Sequence, residues 1–272
     1  MSVNTDRDRF QSDAEDYAAY LETPNGRLRL DLAFANLPQF LAQSQHSLRA
    51  LDLGGGTGAT AVRLARLGLH VTLLDSSAAM LDIAERRAQE AVVTEKITRK
   101  HGDAAQAGKL FAGELFDVVL CHNLLEYVDC PGAVLCEAAR LMRRDPPALL
   151  SILVRNRAGE VLKAAIQAGD LVAAEHSLTA QWGHESLYGG TVRLFTPESL
   201  QTMLSAAALT VVAERGVRVV SDYLPPSISR AAEYERIFEL ERKLGERPEF
   251  AAVARYTQYL ARCTDPRLED IA

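Results

Sequence analysis

The stretch Leu48-Arg49-Ala50-Leu51-Asp52-Leu53-Gly54-Gly55-Gly56-Thr57-Gly58-Ala59-Thr60 decides the fold. A short apolar run, read as a buried strand, stops at a cluster of glycines and re-emerges as a helical pattern over residues 60–67. Glycines at such a corner permit positive φ and let a ligand approach the backbone without a Cβ in the way. Gly55 is expected to meet both demands. The helix that follows has free N–H groups at its start, which favour a polar or anionic ligand group.

The reading sharpens twenty residues later. Residues 69–75 form a second strand pattern ending in Asp75, and Ser76-Ser77-Ala78-Ala79-Met80-Leu81 opens a second helix. An acid at the tip of that strand is placed to bind both hydroxyls of a ribose. In Lys100-His101-Gly102-Asp103-Ala104-Ala105, an acid–alanine pair follows a third strand, where it suits an adenine. The order strand, glycine corner, helix, strand, Asp75, helix, strand, Gly-Asp-Ala resembles the class I S-adenosylmethionine-dependent methyltransferases. The form Leu-Asp-Leu-Gly-Gly-Gly-Thr-Gly, unlike Gly-x-Gly-x-x-Gly, favours that family over dehydrogenases. The resemblance implies a doubly wound, seven-stranded, mostly parallel α/β sheet of Rossmann-like type, with S-adenosyl-L-methionine as cofactor.

Outward from this centre, residues 10–21 carry a helical pattern. Thr23-Pro24-Asn25-Gly26 breaks it, and residues 27–41 resume as a longer helix, so 10–45 reads as a helical N-terminal lid. Arg29 follows the break, where its guanidinium suits the methionine carboxylate of the cofactor; a solvated arginine beside Arg27 has the same spacing. Residues 115–121 are continuously apolar, as a strand buried on both faces should be, and lead into His122. His122 is a candidate to touch the cofactor or act as a base, though a lone histidine at a strand end is more often neither. A fifth strand spans 148–154. Residues 155–192, of mixed helix and loop, form one cap insertion, and 216–250, with a charged helix at 233–244, form a second. Strands at 209–214 and 255–262 complete a single domain over 1–272.

The net charge of −6 gives no global attraction to nucleic acid, so such a partner must meet a local basic patch. Four cysteines lack Cys-x-x-Cys or zinc-type spacing, and no metal is expected. No apolar run reaches membrane-spanning length, and the polar, acidic start does not read as a signal peptide; a cytoplasmic protein is expected.

Several segments are similar to a narrower family, the bacterial methyltransferases of tRNA 5-carboxymethoxyuridine at the wobble position. These are Asn25-Gly26-Arg27-Leu28-Arg29, the glycine corner, and His122-Asn123-Leu124-Leu125-Glu126-Tyr127-Val128. Gly216-Val217-Arg218-Val219-Val220-Ser221-Asp222-Tyr223-Leu224, residues 234–241 and Ala254-Arg255-Tyr256 complete the set. The resemblance implies a cofactor site of Arg29, Gly54, Gly55, Asp75, Asp103, Ala104 and His122, with Gly56 in the same corner. It implies tRNA, through its anticodon stem-loop, as partner. Members of that family carry a lysine-rich run after strand five, whereas residues 176–188 here hold neither lysine nor arginine. Arg155, Arg157, Lys163, Arg193, Arg218 and Arg230 remain as components of a basic patch.

A carboxymethoxy acceptor is already ionised at neutral pH and needs no general base. Catalysis then reduces to alignment in a dry pocket, and no catalytic side chain is required. Arg193, Arg218 and Tyr223 are the candidates to orient the acceptor; for Arg218, a structural role between Val217 and Val219 is equally open. Two other functions remain, an O-methyltransferase for a small carboxylic acid or phenol, which the neutral cap suits, and a non-catalytic S-adenosylmethionine-binding protein.

Overall fold

The computed structural model describes residues 10–42, 47–185 and 190–264. Five parallel strands form first: β1 (Arg49–Leu53), β2 (His70–Asp75), β3 (Ile97–His101), β4 (Val118–His122) and β5 (Leu149–Arg155). Every residue of β5 is buried, which is why Leu-Leu-Ser-Ile-Leu-Val is apolar at every position but Ser151 rather than an alternation. The order across the seven-stranded sheet is β3-β2-β1-β4-β5, then β9 (Tyr256–Cys263), then β8 (Leu209–Val217). β9 runs antiparallel to both its neighbours, so the last strand in sequence is wedged between β5 and β8. The fold is the seven-stranded, mostly parallel, Rossmann-like sheet expected from the class I resemblance.

Helices cover both faces. α3 (Ala59–Arg66) and α4 (Ala78–Glu90) connect the first three strands, α5 (Pro131–Arg140) joins β4 to β5, and α8 (Pro197–Ala206) precedes β8. Ser77 caps α4 by accepting the Met80 N–H, and Thr196 with Ser199 closes a capping box on α8. One core layer gathers Phe116, Val134, Leu135, Leu150 and Leu204; the other gathers Leu37, Ala61, Leu64, Leu73 and Leu120.

The N-terminal segment differs from its sequence reading. Thr23-Pro24-Asn25-Gly26 does not hold the helices apart: Thr23 accepts the Gly26 N–H as N-cap, Pro24 is the first helical residue, and α2 (Pro24–Ala35) starts there, two residues after α1 (Ala14–Glu22). α2 also ends earlier than residue 41, because Pro38 cannot continue it and a 3-10 turn follows. Part of the segment is core rather than cover. Leu28, Leu32 and Ala33 pack against Leu153, Val217, Ile237 and Tyr256, while α1 lies on α4 through Ala14, Ala18, Met80 and Ile83.

The fourth strand begins at Val118 rather than 115. Leu115 is exposed, Phe116 turns its ring edge-on to Phe111, and the Asp117 carboxylate accepts the Arg49 N–H and the Arg143 Nε–H. Within the first cap insertion, α6 (Arg157–Leu162), a π-helical turn at 163–167 and α7 (Leu171–Ser177) lead into a hairpin that the sequence reading missed. Its strands are β6 (Trp182–Glu185) and β7 (Gly190–Arg193). Gly183 and His184 between Trp182 and Glu185 obscure the strand pattern, and residues 186–189 lie outside the described residues.

The second insertion is anchored by one buried carboxylate. Glu241, fully buried on α9 (Tyr234–Gly245), accepts the N–H groups of Val219, Val220 and Ser221 at 2.5, 2.9 and 2.6 Å. That loop turns on Arg218, held at φ +62°. Glu241→Ala would leave three N–H groups without partners, so unfolding in urea should show a loss of roughly 3 kcal/mol or more. Glu241→Gln, which keeps one acceptor oxygen, should lose less.

Candidate active site

At the C-terminal ends of the parallel strands the backbone must leave the sheet, and here it does so through the glycine corner. The N–H groups of Gly54 and Gly55 both donate to Leu74 O, at 2.8 and 3.2 Å, tying the corner to β2. Gly54, Gly56 and Gly58 sit at φ +65°, +52° and +72°. Gly55 is not in this left-handed region, and a Cβ there would lie 2.7 Å from Leu73 Cγ and 2.9 Å from Asp52 Oδ2. The constraint on Gly55 is therefore tight packing against the sheet, not room for a ligand. The open side belongs to Gly56, where an added Cβ would find nothing nearer than Tyr17 Cε1 at 3.8 Å.

The corner borders a cavity of about 740 Å³, large enough for a nucleoside-sized ligand together with an acceptor group. Arg29, Gly54, Gly55, Gly56, Asp75, Asp103, Ala104 and His122 all line it. The structure thus brings together every residue that the sequence reading assigned to the cofactor. Asp75 accepts the Gly56 N–H on Oδ2 and the Ser77 N–H on Oδ1, both at 2.8 Å, and burial raises its pKa against these bonds. Asp103 accepts the Ala105 N–H at 2.9 Å, which sets the turn carrying Ala104. His122 is pushed down to about 3, by burial first and by the Arg29 charge second, so it is neutral at physiological pH.

Asp52 also lines the cavity and was not singled out from sequence. Its Oδ2 is buried without a hydrogen-bond partner, and burial plus repulsion from Asp75 raises it to about 7. Arg29 is buried too. One terminal nitrogen donates to Tyr17 Oη at 2.9 Å, its Nε is buried without a partner, and among the described residues it has no carboxylate at ion-pair distance. These groups fit the proposed cofactor: an unpaired guanidinium for an amino-acid carboxylate, Asp75 for ribose hydroxyls, and a side-chain-free corner beside them.

Beyond Arg29 the cavity deepens into a chamber with charged walls. The guanidinium carbons of Arg29, Arg155, Arg218 and Arg255 stand 5.6, 5.8, 5.8 and 5.9 Å from the centre of the Tyr256 ring. Glu185 and Glu160 pair with Arg155, Glu160 also pairs with Arg255 at 2.7 Å, and Asp222 pairs with Arg218. Lys163 joins them on the wall. Burial alone would raise the Tyr256 phenol, yet the four guanidinium groups bring it down to about 8. Four guanidinium groups thus face one ring in the chamber, and they favour its ionised form.

Of the three acceptor-orienting candidates, only Arg218 lines the cavity. Arg193 lies outside: its guanidinium covers the Trp182 ring at 4.6 Å and reaches Asp129 O at 3.4 Å. Tyr223 turns away, donating to Gly159 O at 3.4 Å, and burial beside Asp222 raises it to about 12. Within the basic set, Arg155 and Lys163 reach the cavity, whereas Arg157 bonds Leu178 O and Arg230 bonds Ser221 O and Leu224 O. The signal for Arg155 was its place at the C-terminal end of a buried strand, where doubly wound sheets present ligands. Arg255 and Tyr256 stood within a quoted motif, but only the antiparallel insertion of β9 brings them to the site. Among the described residues no cluster of His, Cys, Asp and Glu could hold a metal ion, and no helix is long and apolar enough to cross a membrane.

Comparison with known proteins agrees with this geometry. Residues 20–214 match the profile of a family described as "Methyltransferase domain". The tRNA 5-carboxymethoxyuridine methyltransferase of Escherichia coli (strain K12) is 29% identical over 248 residues, covering 88% of this chain and 90% of that protein. The ubiquinone biosynthesis O-methyltransferase of Maricaulis maris (strain MCS10) is 32% identical over 173 residues, 62% of each chain. Among solved structures, the magnesium protoporphyrin IX methyltransferase from Synechocystis PCC 6803 with bound SAH superposes with a TM-score of 0.63 at 15% identity, over 96% of this chain and 99% of that one.

Two outcomes follow. Asp75→Ala should weaken S-adenosylmethionine binding by roughly 1–3 kcal/mol in calorimetry, through lost charge-assisted hydrogen bonds. Asp52 gives a pH signature in the ligand-free protein. The native state keeps a proton that the unfolded chain releases near pH 4, so stability falls as pH rises from about 4 to about 7. In Asp52→Asn that fall should shrink, and urea midpoints for wild type and variant should diverge across this window.

Proposed function

The chain belongs to the methyltransferase domain family, of the class I S-adenosylmethionine-dependent type, and we propose that it methylates the carboxylate of 5-carboxymethoxyuridine at the wobble position of tRNA. The observation that carries this reading is the set of four guanidinium groups, of Arg29, Arg155, Arg218 and Arg255, gathered within 6 Å of the centre of the Tyr256 ring on the cavity wall. A chamber of that kind selects an ionised acceptor over a neutral phenol. The likeness to the Escherichia coli enzyme along nearly the whole chain supports the finer assignment.

When bound, S-adenosylmethionine supplies a methyl group on a sulfonium. In this reading Arg29 holds the amino-acid carboxylate and Asp75 the ribose hydroxyls, while Asp103 and Ala104 flank the adenine. Arg155, Arg218 and Arg255 draw in the acceptor carboxylate and fix its orientation. A carboxylate is already deprotonated at pH 7, so no base is needed, and His122 stays neutral throughout. Each guanidinium keeps at least one carboxylate partner, and Arg155 keeps two, which limits how tightly they grip the acceptor oxygen and leaves that oxygen nucleophilic. The hairpin β6–β7 and helix α1 flank the chamber and reduce access of water.

A second reading, a small-acid or phenol O-methyltransferase, is favoured by the absence of lysine and arginine from residues 176–188. Transfer of labelled methyl to tRNA bearing 5-carboxymethoxyuridine, set against a panel of small acids and phenols, separates the two. Methylation of the tRNA should weaken steeply between about 50 and 200 mM salt. Arg218→Ala should raise the acceptor KM by about tenfold with cofactor affinity little changed. Full-rate transfer to a free acid or phenol, with none to the modified tRNA, would overturn the tRNA reading.

A further inference from the structure

A chain of buried amide and hydroxyl groups runs from helix α2 to the cavity wall, and the methyl transfer proposed above gives it no task. Gln258, on β9 and wholly buried, donates from Nε2 to Ala33 O and to Ser151 Oγ, both at 2.9 Å, and accepts the Asn36 Nδ2–H on Oε1 at 2.8 Å. Ser151, in the middle of β5 and equally buried, lies 2.8 Å from His122 Nε2. His122 stands at the end of β4 and lines the cavity.

The chemistry of each group fixes the direction of every bond. A backbone carbonyl only accepts, so the amide nitrogen of Gln258 must face Ala33, and its second N–H is the one that reaches Ser151. Ser151 Oγ is thus an acceptor from Gln258. Among the described residues its own proton has one remaining acceptor within hydrogen-bond distance, the Nε2 of His122. An imidazole that accepts at Nε2 carries its proton on Nδ1. Among the described residues that nitrogen has no hydrogen-bond partner, and His122 lines the cavity, which leaves the nitrogen to a cavity ligand.

We propose that Gln258 and Ser151 are positioning residues that lock His122 in the neutral Nδ1–H form, so that it meets the cavity ligand as a fixed hydrogen-bond donor and not as a base. The inference rests on the reading of the cavity as a cofactor site, and on nothing about the acceptor. With Arg29 close by, the donor is directed at a negatively charged or carbonyl oxygen of the ligand. Burial and the Arg29 charge keep the ring from taking a second proton, and the relay decides which nitrogen holds the first. Because Ala33 and Asn36 belong to α2 and its C-terminal end, docking of that helix is part of what orients the donor.

The test reads the proton itself. In the ligand-free protein labelled with 15N-histidine, with His122→Asn identifying the resonance, Nε2 should appear unprotonated and Nδ1 protonated at neutral pH. Ser151→Ala should release the lock, giving a mixture or the Nε2–H form, and should weaken S-adenosylhomocysteine binding by about fivefold. Ser151→Thr, which keeps the hydroxyl, should restore both, and Gln258→Met should behave like Ser151→Ala. A purely structural role would lower stability without moving the tautomer. Wild-type His122 found protonated at Nε2, or a Ser151→Ala protein that keeps the Nδ1–H form and full affinity, would overturn the proposal. Neither result depends on which molecule accepts the methyl group, so failure here is distinct from failure of the tRNA reading.

Discussion

Burying like charges together is costly, and the architecture of this protein is best understood as the set of arrangements that makes it tolerable. Arg29, Arg155, Arg218 and Arg255 surround one tyrosine ring, and each comes from a different part of the chain. Their partners are equally dispersed: Glu160 from α6, Glu185 from the hairpin, Asp222 from the loop after β8. The two cap insertions therefore do more than cover an opening. They carry the carboxylates without which the inner wall would repel itself. Compensation is incomplete at Arg29, which has no carboxylate at ion-pair distance among the described residues.

The same constraint explains the second insertion. Arg218 sits in a left-handed backbone conformation that a branched or bulky side chain rarely adopts, held there by the three N–H groups that Glu241 collects. Removing solvent from Arg218 requires Asp222, and fixing the loop that presents both requires α9. One surface-like helix, charged along its exposed side, is thus the support of a residue at the bottom of the cavity.

Much of the nucleotide-binding half was legible in the sequence because its signals are local. The corner at Gly54–Gly58, Asp75 at a strand tip and Asp103 after the next strand each depend on a few consecutive residues, and the order of elements fixes where they meet. The acceptor half was less legible. Arg193 and Arg218 look alike in sequence, yet one lies against Trp182 outside the cavity and the other lines it, because hairpin register and loop conformation decide the matter. Tyr256 and Arg255 reach the site only through a strand inserted antiparallel between two others, an outcome that no local pattern encodes. The glycine corner held one surprise as well: Gly55 is required by Leu73 and Asp52 behind it, whereas the ligand side is Gly56.

The insertion of β9 also sets a timetable. Gln258 joins Ser151 and Ala33 across sequence separations of 107 and 225 residues, the second among the longest of the hydrogen bonds between described residues. Contacts of that span form late, after local strands and helices have already condensed. On the ribosome, the first five strands emerge and can pair well before residues 256–263 have been made. A nascent chain can therefore form its glycine corner while the charged chamber, the docking of α2 and the Ser151–Gln258 contact are still unassembled. These contacts are complete only when residues 256–263 take their place between β5 and β8.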